Sequence, residues 1–548
     1  MKVLLIGLDG FDHDLTTRWM GEGKLPALAA IAGRGVFAPM ASLLPPISPA
    51  VWTSILTGVN PARHGVFDFT VVEGRTIRLP GGFRRQAPNV FEMLSRAGRS
   101  VLSVGFPATA PLAAVRGAIL EGWDSPFSVR GKRRGCHPAG LHDRLVRMLG
   151  KDYLPFDIVD QMRMEGRESL RRAADRLERT PLERAALALA LLRPDLVGEV
   201  DMLGVYFPEP DAAGHQFWDL HDPRSPRRAR GDADAGLGDP VERVYRAVDR
   251  AVGMIEEGFS PDAVVVVSDH GMGGNGARVL SLSRFLVETG HLRLQPGAGA
   301  LLEGMSRLSA GAARAVPAAV RQLAARRGLR KSSGASITLM RLGGIDWEGT
   351  DAFSEDLAYA PSIWLRPDLP PGRERRDLAL KIAGDLRLHP SLGGAVRRVV
   401  LREELYRGPY AGRIPDILVD LALDGDYGYC LVPGHFRVMK RAVEPLPRFY
   451  LTGEKGRTRH GGHRPGGISI VAPPVFPGGP ARAPGIHDVA PLLLGMQGLR
   501  VPGYFDSSPA FETGEALDLG SLAAAPPPEP PASLSSRMKA RLRNLGYI

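Results

Sequence analysis

The sequence predicts an α/β protein: a mostly parallel central sheet flanked by helices on both faces, with helical insertions. Short, continuous apolar runs recur along the chain at Val3–Leu8, 100–105, Met202–Phe207 and 263–268, the last containing four consecutive valines. Between them lie segments whose apolar residues repeat at helical spacing, notably 168–192 and 240–257. Uninterrupted apolar runs mark strands buried on both faces, which is what helices covering both sides of a parallel sheet produce.

The elements follow in order. Val3–Leu8 reads as a buried strand ending in Asp9-Gly10. Residues 25–35 read as a helix, with Gly33 and Gly35 near its end. Pro45, Pro46 and Ile47 lead into a short helix, with Ser48 expected at its N-cap, Pro49 in its first turn and Gly58 as its stop. Two regions are expected to interrupt the core, 132–199 and 296–336. The second is basic and carries Arg314, Arg321, Arg326, Arg327, Arg330 and Lys331. The expected organisation is a catalytic domain over 1–505 with these inserts. A Pro-rich linker and a short basic tail then fill 506–548.

Composition narrows the function classes. Of 548 residues, 44% are hydrophobic and 24% charged, as in ordinary globular proteins. Seventy Lys and Arg against 59 Asp and Glu give a net charge of +11, a surface that attracts anions. Two cysteines, Cys136 and Cys430, make neither a disulfide framework nor a thiolate zinc site. The first apolar run is shorter than a signal-peptide core, and no run approaches the length of a membrane span. A cytoplasmic protein without a transmembrane segment is therefore expected. The basic insert could contact a polyanion. Nucleic acid is nevertheless not the expected partner, because the chain has no recognised binding module and little aromatic interleaving near the basic run.

The chemistry is signalled by where Asp and His fall. Asp9 follows the first strand. Asp211 and His215 follow Met202–Phe207, and Asp269 and His270 follow the valine run. In open parallel sheets the crevice beyond the carboxyl ends of the strands is where ligands bind. Three strand ends thus deliver five candidate metal ligands to one crevice, and His463, just before another apolar segment, supplies a sixth. Imidazole and carboxylate without thiolate suit Zn²⁺, with Mn²⁺ as the alternative. Ser48, at a helix start where backbone N–H groups favour anions, is the candidate nucleophile. Its hydroxyl needs a base or a metal for activation. Trp52, Arg63 and His64, close to it in sequence, are candidate substrate-binding residues.

The segments IGLDGFD, PPISPAVWTSILTGVNPARHGVFDF, YFPEPDAAGH, VVVVSDHGM and GGHRPGGISI resemble, in the same order, those of the type I phosphodiesterase/nucleotide pyrophosphatase family of the alkaline phosphatase superfamily. The resemblance covers most of 1–130, 198–290 and 345–505. It implies two divalent metal ions, one held by Asp211, His215 and His463 and the other by Asp9, Asp269 and His270 with Ser48 beside it. It also implies a covalent phosphoryl-Ser48 intermediate and a small phosphoester substrate. Two positions depart from the family pattern: Ser48 stands where nucleotide pyrophosphatases usually carry Thr, and Phe69 where they carry an Asn that helps hold a phosphoryl oxygen. These departures weigh against a nucleotide substrate and leave the metal chemistry untouched. The alternatives on the same fold are a cofactor-independent phosphomutase and a phosphomonoesterase. A sulfatase would need proline and arginine where Ala50 and Trp52 stand. A non-catalytic anion- or nucleic-acid-binding protein would be expected to have lost a ligand, and none of the six is missing.

Overall fold

The computed structural model describes residues 1–78, 85–110, 112–122, 135–149, 167–228, 236–297, 335–447, 460–473, 484–500, 503–507 and 515–516. At its centre, Val3–Leu8, Met202–Phe207 and Ala263–Val267 are buried along their whole lengths. They pair in parallel, with Val3–Leu8 in the middle. Val101–Val104 and Gly117–Leu120 extend the parallel run beyond Met202–Phe207. Antiparallel strands finish both edges: Gly466–Ala472 and then Val36–Ala41 on one side, Cys136–His137 on the other. The outcome is an eight-stranded, mostly parallel sheet, as the apolar runs predict.

Side chains alternate across a strand, and Val3–Leu8 shows both faces at work. Leu4, Ile6 and Leu8 enter one core with Val244, Val248 and Ile255 of helix Pro240–Phe259. Val3 and Leu5 enter the other with Val51 and Ile55 of helix Ser48–Thr57. The helix Arg167–Leu191, read from sequence as part of an insertion, packs directly on the sheet. It buries Ala174, Leu177, Ala185, Ala188 and Leu191 in the first core, so it is one of the layers that cover the sheet. Its Arg184 forms a buried ion pair at 2.7 Å with Glu209, two residues before Asp211. Residues 298–334, with every basic residue singled out there, lie outside the described residues, as does the tail beyond 516.

A second, smaller sheet was not foreseen. Ala352–Phe353, Ser362–Leu365, Ile417–Leu421 and Val396–Leu401 pair antiparallel in that order. Helix Arg373–Leu388 helps cover it, and Ile363, Ile382, Leu386, Val399 and Ile417 share a separate apolar core. Among the described residues no helix is long and apolar enough to cross a membrane.

Removing one partner of a buried ion pair leaves an uncompensated charge, typically costing about 3–5 kcal/mol. Arg184→Met is therefore expected to lower the urea midpoint well beyond what a surface Arg→Met change does. An unchanged midpoint would show that the pair is not structural.

Candidate active site

Register brings the strand ends together. Leu8 lies opposite Phe207, and Gly7 lies opposite both Tyr206 and Val267. Asp9 therefore leaves the sheet beside the start of helix Glu209–His221, its N–H bonded to the Phe207 carbonyl at 3.0 Å. Asp211 and His215, four residues apart on that helix, share one of its faces. Beyond Ala263–Val267 the chain turns through Ser268, Asp269 and His270 into Gly271–Leu280. That strand pairs antiparallel with Gly461–Arg464 and sets His463 opposite Met272. The crowding requires glycine. A Cβ on Gly10, at φ +65°, would lie 2.9 Å from the Asp211 Cα, and one on Gly461 would lie 2.3 Å from the Gly214 carbonyl oxygen.

All six predicted ligands and Ser48 meet at this point. His215 Nε2 lies 3.1 Å from His463 Nε2 and 3.1 Å from Asp211 Oδ1, which is itself 3.5 Å from His463 Nε2. His270 Nε2 lies 3.2 Å from Ser48 Oγ, 3.3 Å from Asp269 Oδ2 and 3.5 Å from Asp9 Oδ1. The His270 and His463 rings stack with centroids 3.7 Å apart. Among the described residues two groups can converge on a cation, Asp211–His215–His463 and Asp9–Asp211–His270. The first is the triad expected from sequence. In the second Asp211 stands where Asp269 was expected, and Asp269 instead accepts the Gly10 N–H at 3.2 Å through Oδ1. Ser48 is the first helical residue rather than the cap. Ile47 holds the cap position and makes no side-chain hydrogen bond there, so the Ser48 hydroxyl is turned to His270 instead of to its own helix.

Each imidazole is oriented by a carbonyl oxygen that can only accept. Nδ1–H of His215 donates to Gly461 (2.7 Å), that of His463 to Pro46 (2.7 Å) and that of His270 to Gly271 (2.9 Å). Every Nε2 is thereby left for whatever cation the site holds. Asp9 Oδ1, Asp211 Oδ1 and Asp269 Oδ2 are buried without a hydrogen-bond partner. Buried acceptors without donors are costly, and one proton between His215 and His463 does not relieve three carboxylates. This donor set fits divalent cations.

The protonation equilibria agree: without cations, the cluster takes up protons. Burial, then the neighbouring Asp269 and Asp211, push the Asp9 carboxyl well above its ordinary value. Burial and Asp211 raise Asp269 to about 7. Burial works to raise Asp211 as well, yet His215 and His463 beside it hold it well below the usual range. Burial, reinforced by His270, pulls His463 down to about 3, so its ring is neutral and fit to be a ligand.

The three expected substrate-binding residues are not brought to the cluster. Trp52 is fully buried against Phe106 and Tyr206. His64 is buried with Nε2 2.9 Å from Ser54 Oγ. Arg63 pairs with Asp506 at 2.7 Å and covers the Tyr504 ring. Sequence reasoning missed Tyr206, whose hydroxyl donates to Asp9 Oδ2, and Asn275, whose amide donates to the Gly461 carbonyl that also orients His215. Tyr206 left one signal, a phenol in an otherwise apolar buried strand, where its hydroxyl needs a partner.

A sequence model described as type I phosphodiesterase / nucleotide pyrophosphatase matches residues 3–423, a span that stops short of His463. No curated protein matches the chain. Among solved structures, phosphonoacetate hydrolase from Sinorhizobium meliloti 1021 in complex with phosphonoacetate is 16% identical. The alignment covers 89% of this chain and 94% of that one with a TM-score of 0.51, which shows a shared fold. Murine ectonucleotide pyrophosphatase / phosphodiesterase 5 is 13% identical over 90% of this chain and 95% of that one (TM-score 0.43). A variant of the alkaline phosphatase PafA is 13% identical over 94% and 98% (TM-score 0.48).

Tyr206→Phe removes the donor on Asp9. Partners behind metal ligands are typically worth about 10–100-fold in affinity, so isothermal titration with Zn²⁺ is expected to show a loss in that range, and an unchanged affinity would remove Asp9 from the ligand set. Asp269 has a folded-state value near 7 against an ordinary 3.8. Its contribution to stability is therefore complete at low pH and lost as pH rises through about 7. In chelator-treated protein, Asp269→Asn is expected to raise the urea midpoint relative to wild type at pH 8 but not at pH 4. The same gain at both pH values would contradict this titration.

Proposed function

Because the chain belongs to the type I phosphodiesterase/nucleotide pyrophosphatase family, a family of phosphoric ester hydrolases, we propose that it is a phosphodiesterase with Ser48 as nucleophile and two divalent metal ions, Zn²⁺ first and Mn²⁺ as the alternative. One observation carries the reading: a serine hydroxyl at the head of a buried helix lies 3.2 Å from an imidazole, within a cluster of three carboxyl groups that each keep a buried oxygen without a hydrogen-bond donor. Asp211, His215 and His463 would hold one ion, and Asp9, Asp269 and His270 the other, with Asp211 placed to reach both. When bound, such ions lower the pKa of a hydroxyl or water and neutralise charge developing on phosphorus and on the leaving oxygen.

The chain's own residues supply the rest. Without a bound cation the Ser48 hydroxyl donates to His270 Nε2, whose Nδ1–H is committed to the Gly271 carbonyl; that same Nε2 would serve as the ligand when an ion is held, releasing the hydroxyl for attack. In the first half-reaction Ser48 Oγ bonds to phosphorus as an ester P–O bond breaks. The hydroxyl proton leaves Oγ, and an alcohol departs with a proton. In the second half-reaction water adds to phosphorus and the Oγ–P bond breaks, restoring the serine. The start of helix Ser48–Thr57 places the positive end of its backbone dipole at the phosphoryl group in both. Ser48 is 6% exposed, so competing solvent at Oγ is limited.

With Zn²⁺ or Mn²⁺ added, the wild type is expected to hydrolyse bis-p-nitrophenyl phosphate faster than p-nitrophenyl phosphate. Ser48→Ala should reduce that turnover by about 10³-fold or more while still binding metal. Preference for the monoester would replace the diesterase reading with a monoesterase. Full activity in Ser48→Ala would exclude the serine intermediate.

A further inference from the structure

A cleft of about 500 Å³ opens beside His215 and His463, and its far wall comes from the small antiparallel sheet. The lining also includes Leu357, Leu421 and Leu423, together with Leu43 and Leu44 from the segment that leads to Ser48. Leu423 is 45% exposed, one of few large apolar side chains left to solvent among the described residues. Ser42, on the same lining, has a buried hydroxyl with no hydrogen-bond partner. Two arginines also line the cleft. Arg397 is engaged with Asp420 at 2.9 and 2.7 Å. Arg398 is exposed and makes no ion pair among the described residues.

We propose that this cleft is the subsite for the organic group of the phosphoester, and that it selects an apolar group carrying a second negative charge, which Arg398 binds. The chemistry of the walls argues for the class. Leu421, half-buried, and Leu423, 45% exposed, gain by covering aliphatic surface. An unengaged guanidinium on the same lining supplies a planar donor fork suited to a carboxylate or phosphate. The position ties the cleft to the reaction, because His215 and His463 belong to both. The proposal rests on the phosphodiesterase reading above.

The test uses three p-nitrophenyl phosphodiesters bearing a methyl, a hexyl or a 5-carboxypentyl group, with metal-loaded wild type, Leu423→Asp and Arg398→Glu. Both substitutions are at exposed positions outside the metal cluster. For wild type, KM is expected to fall from methyl to hexyl to carboxypentyl. Leu423→Asp should raise KM for the hexyl ester several-fold and leave the methyl ester unchanged. Arg398→Glu should raise KM for the carboxypentyl ester by about 10-fold or more and leave the other two unchanged. Equal KM for the three esters, or variants that shift all three alike, would overturn the proposal. If the wild type cleaves none of them, the diesterase reading fails by itself. Calorimetric binding of hexylphosphonate and 6-phosphonohexanoate then decides the subsite: tighter binding of the carboxylate, lost in Arg398→Glu, supports it, and equal binding overturns it.

Discussion

Three imidazoles, each held by a backbone carbonyl at Nδ1, present their Nε2 atoms to three buried carboxylates. Such a collection of acceptors is electrostatically unfavourable where solvent is scarce, since like charges repel and are only weakly screened. The structure keeps it because the elements that carry it cannot relax. The aspartates leave a fully buried sheet, and His463 is fixed by its strand pairing to Gly271–Leu280. The arrangement fits the binding of cations, and it explains why Asp9 and Asp269 hold on to protons above their ordinary range.

Orientation comes from the layer behind the ligands. The Gly461 carbonyl accepts from both His215 Nδ1 and Asn275, and the Pro46 carbonyl accepts from His463 two residues before Ser48. The backbone that places Ser48 therefore also orients His463. Tyr206 ties Asp9 to the neighbouring strand in the same way. Displacing any of these supports would move the reacting groups and the cation donors together, so the serine and the cluster behave as one unit.

The small antiparallel sheet divides the labour. The ends of the parallel strands and the helices that follow them carry most of the clustered Asp and His, whereas Val396–Leu401 and Ile417–Leu421 line the cleft beside them. Separate apolar cores for the two sheets allow the walls of the cleft to vary without disturbing the ligand positions.

Much of this was legible in the chain. Continuous runs such as Val3–Leu8 and 263–268 announce strands buried on both faces. An Asp or His just past such a run must emerge at the carboxyl edge, so Asp9, Asp211, His215, Asp269 and His270 could be singled out as candidates from local sequence, and the structure brings them together with His463 and Ser48. The short strands of the second sheet were not legible. Ser362–Leu365 and Ile417–Leu421 carry too few residues for their period to stand out, and their partners are far away in the chain. Nor could residues 167–191 be assigned to the core, because an amphipathic helix does not reveal which surface it covers. Trp52 and His64 looked like site residues through their nearness to Ser48, yet a helix turns successive side chains in different directions, and these two point into the protein. The sequence by itself determined the order of the buried strands and singled out the candidate Asp, His and Ser residues that follow them. Only the tertiary structure decided that Asp211 reaches both halves of the cluster, that Tyr206 and Asn275 support it, and which cleft adjoins it, because those relations are distances between segments far apart along the chain.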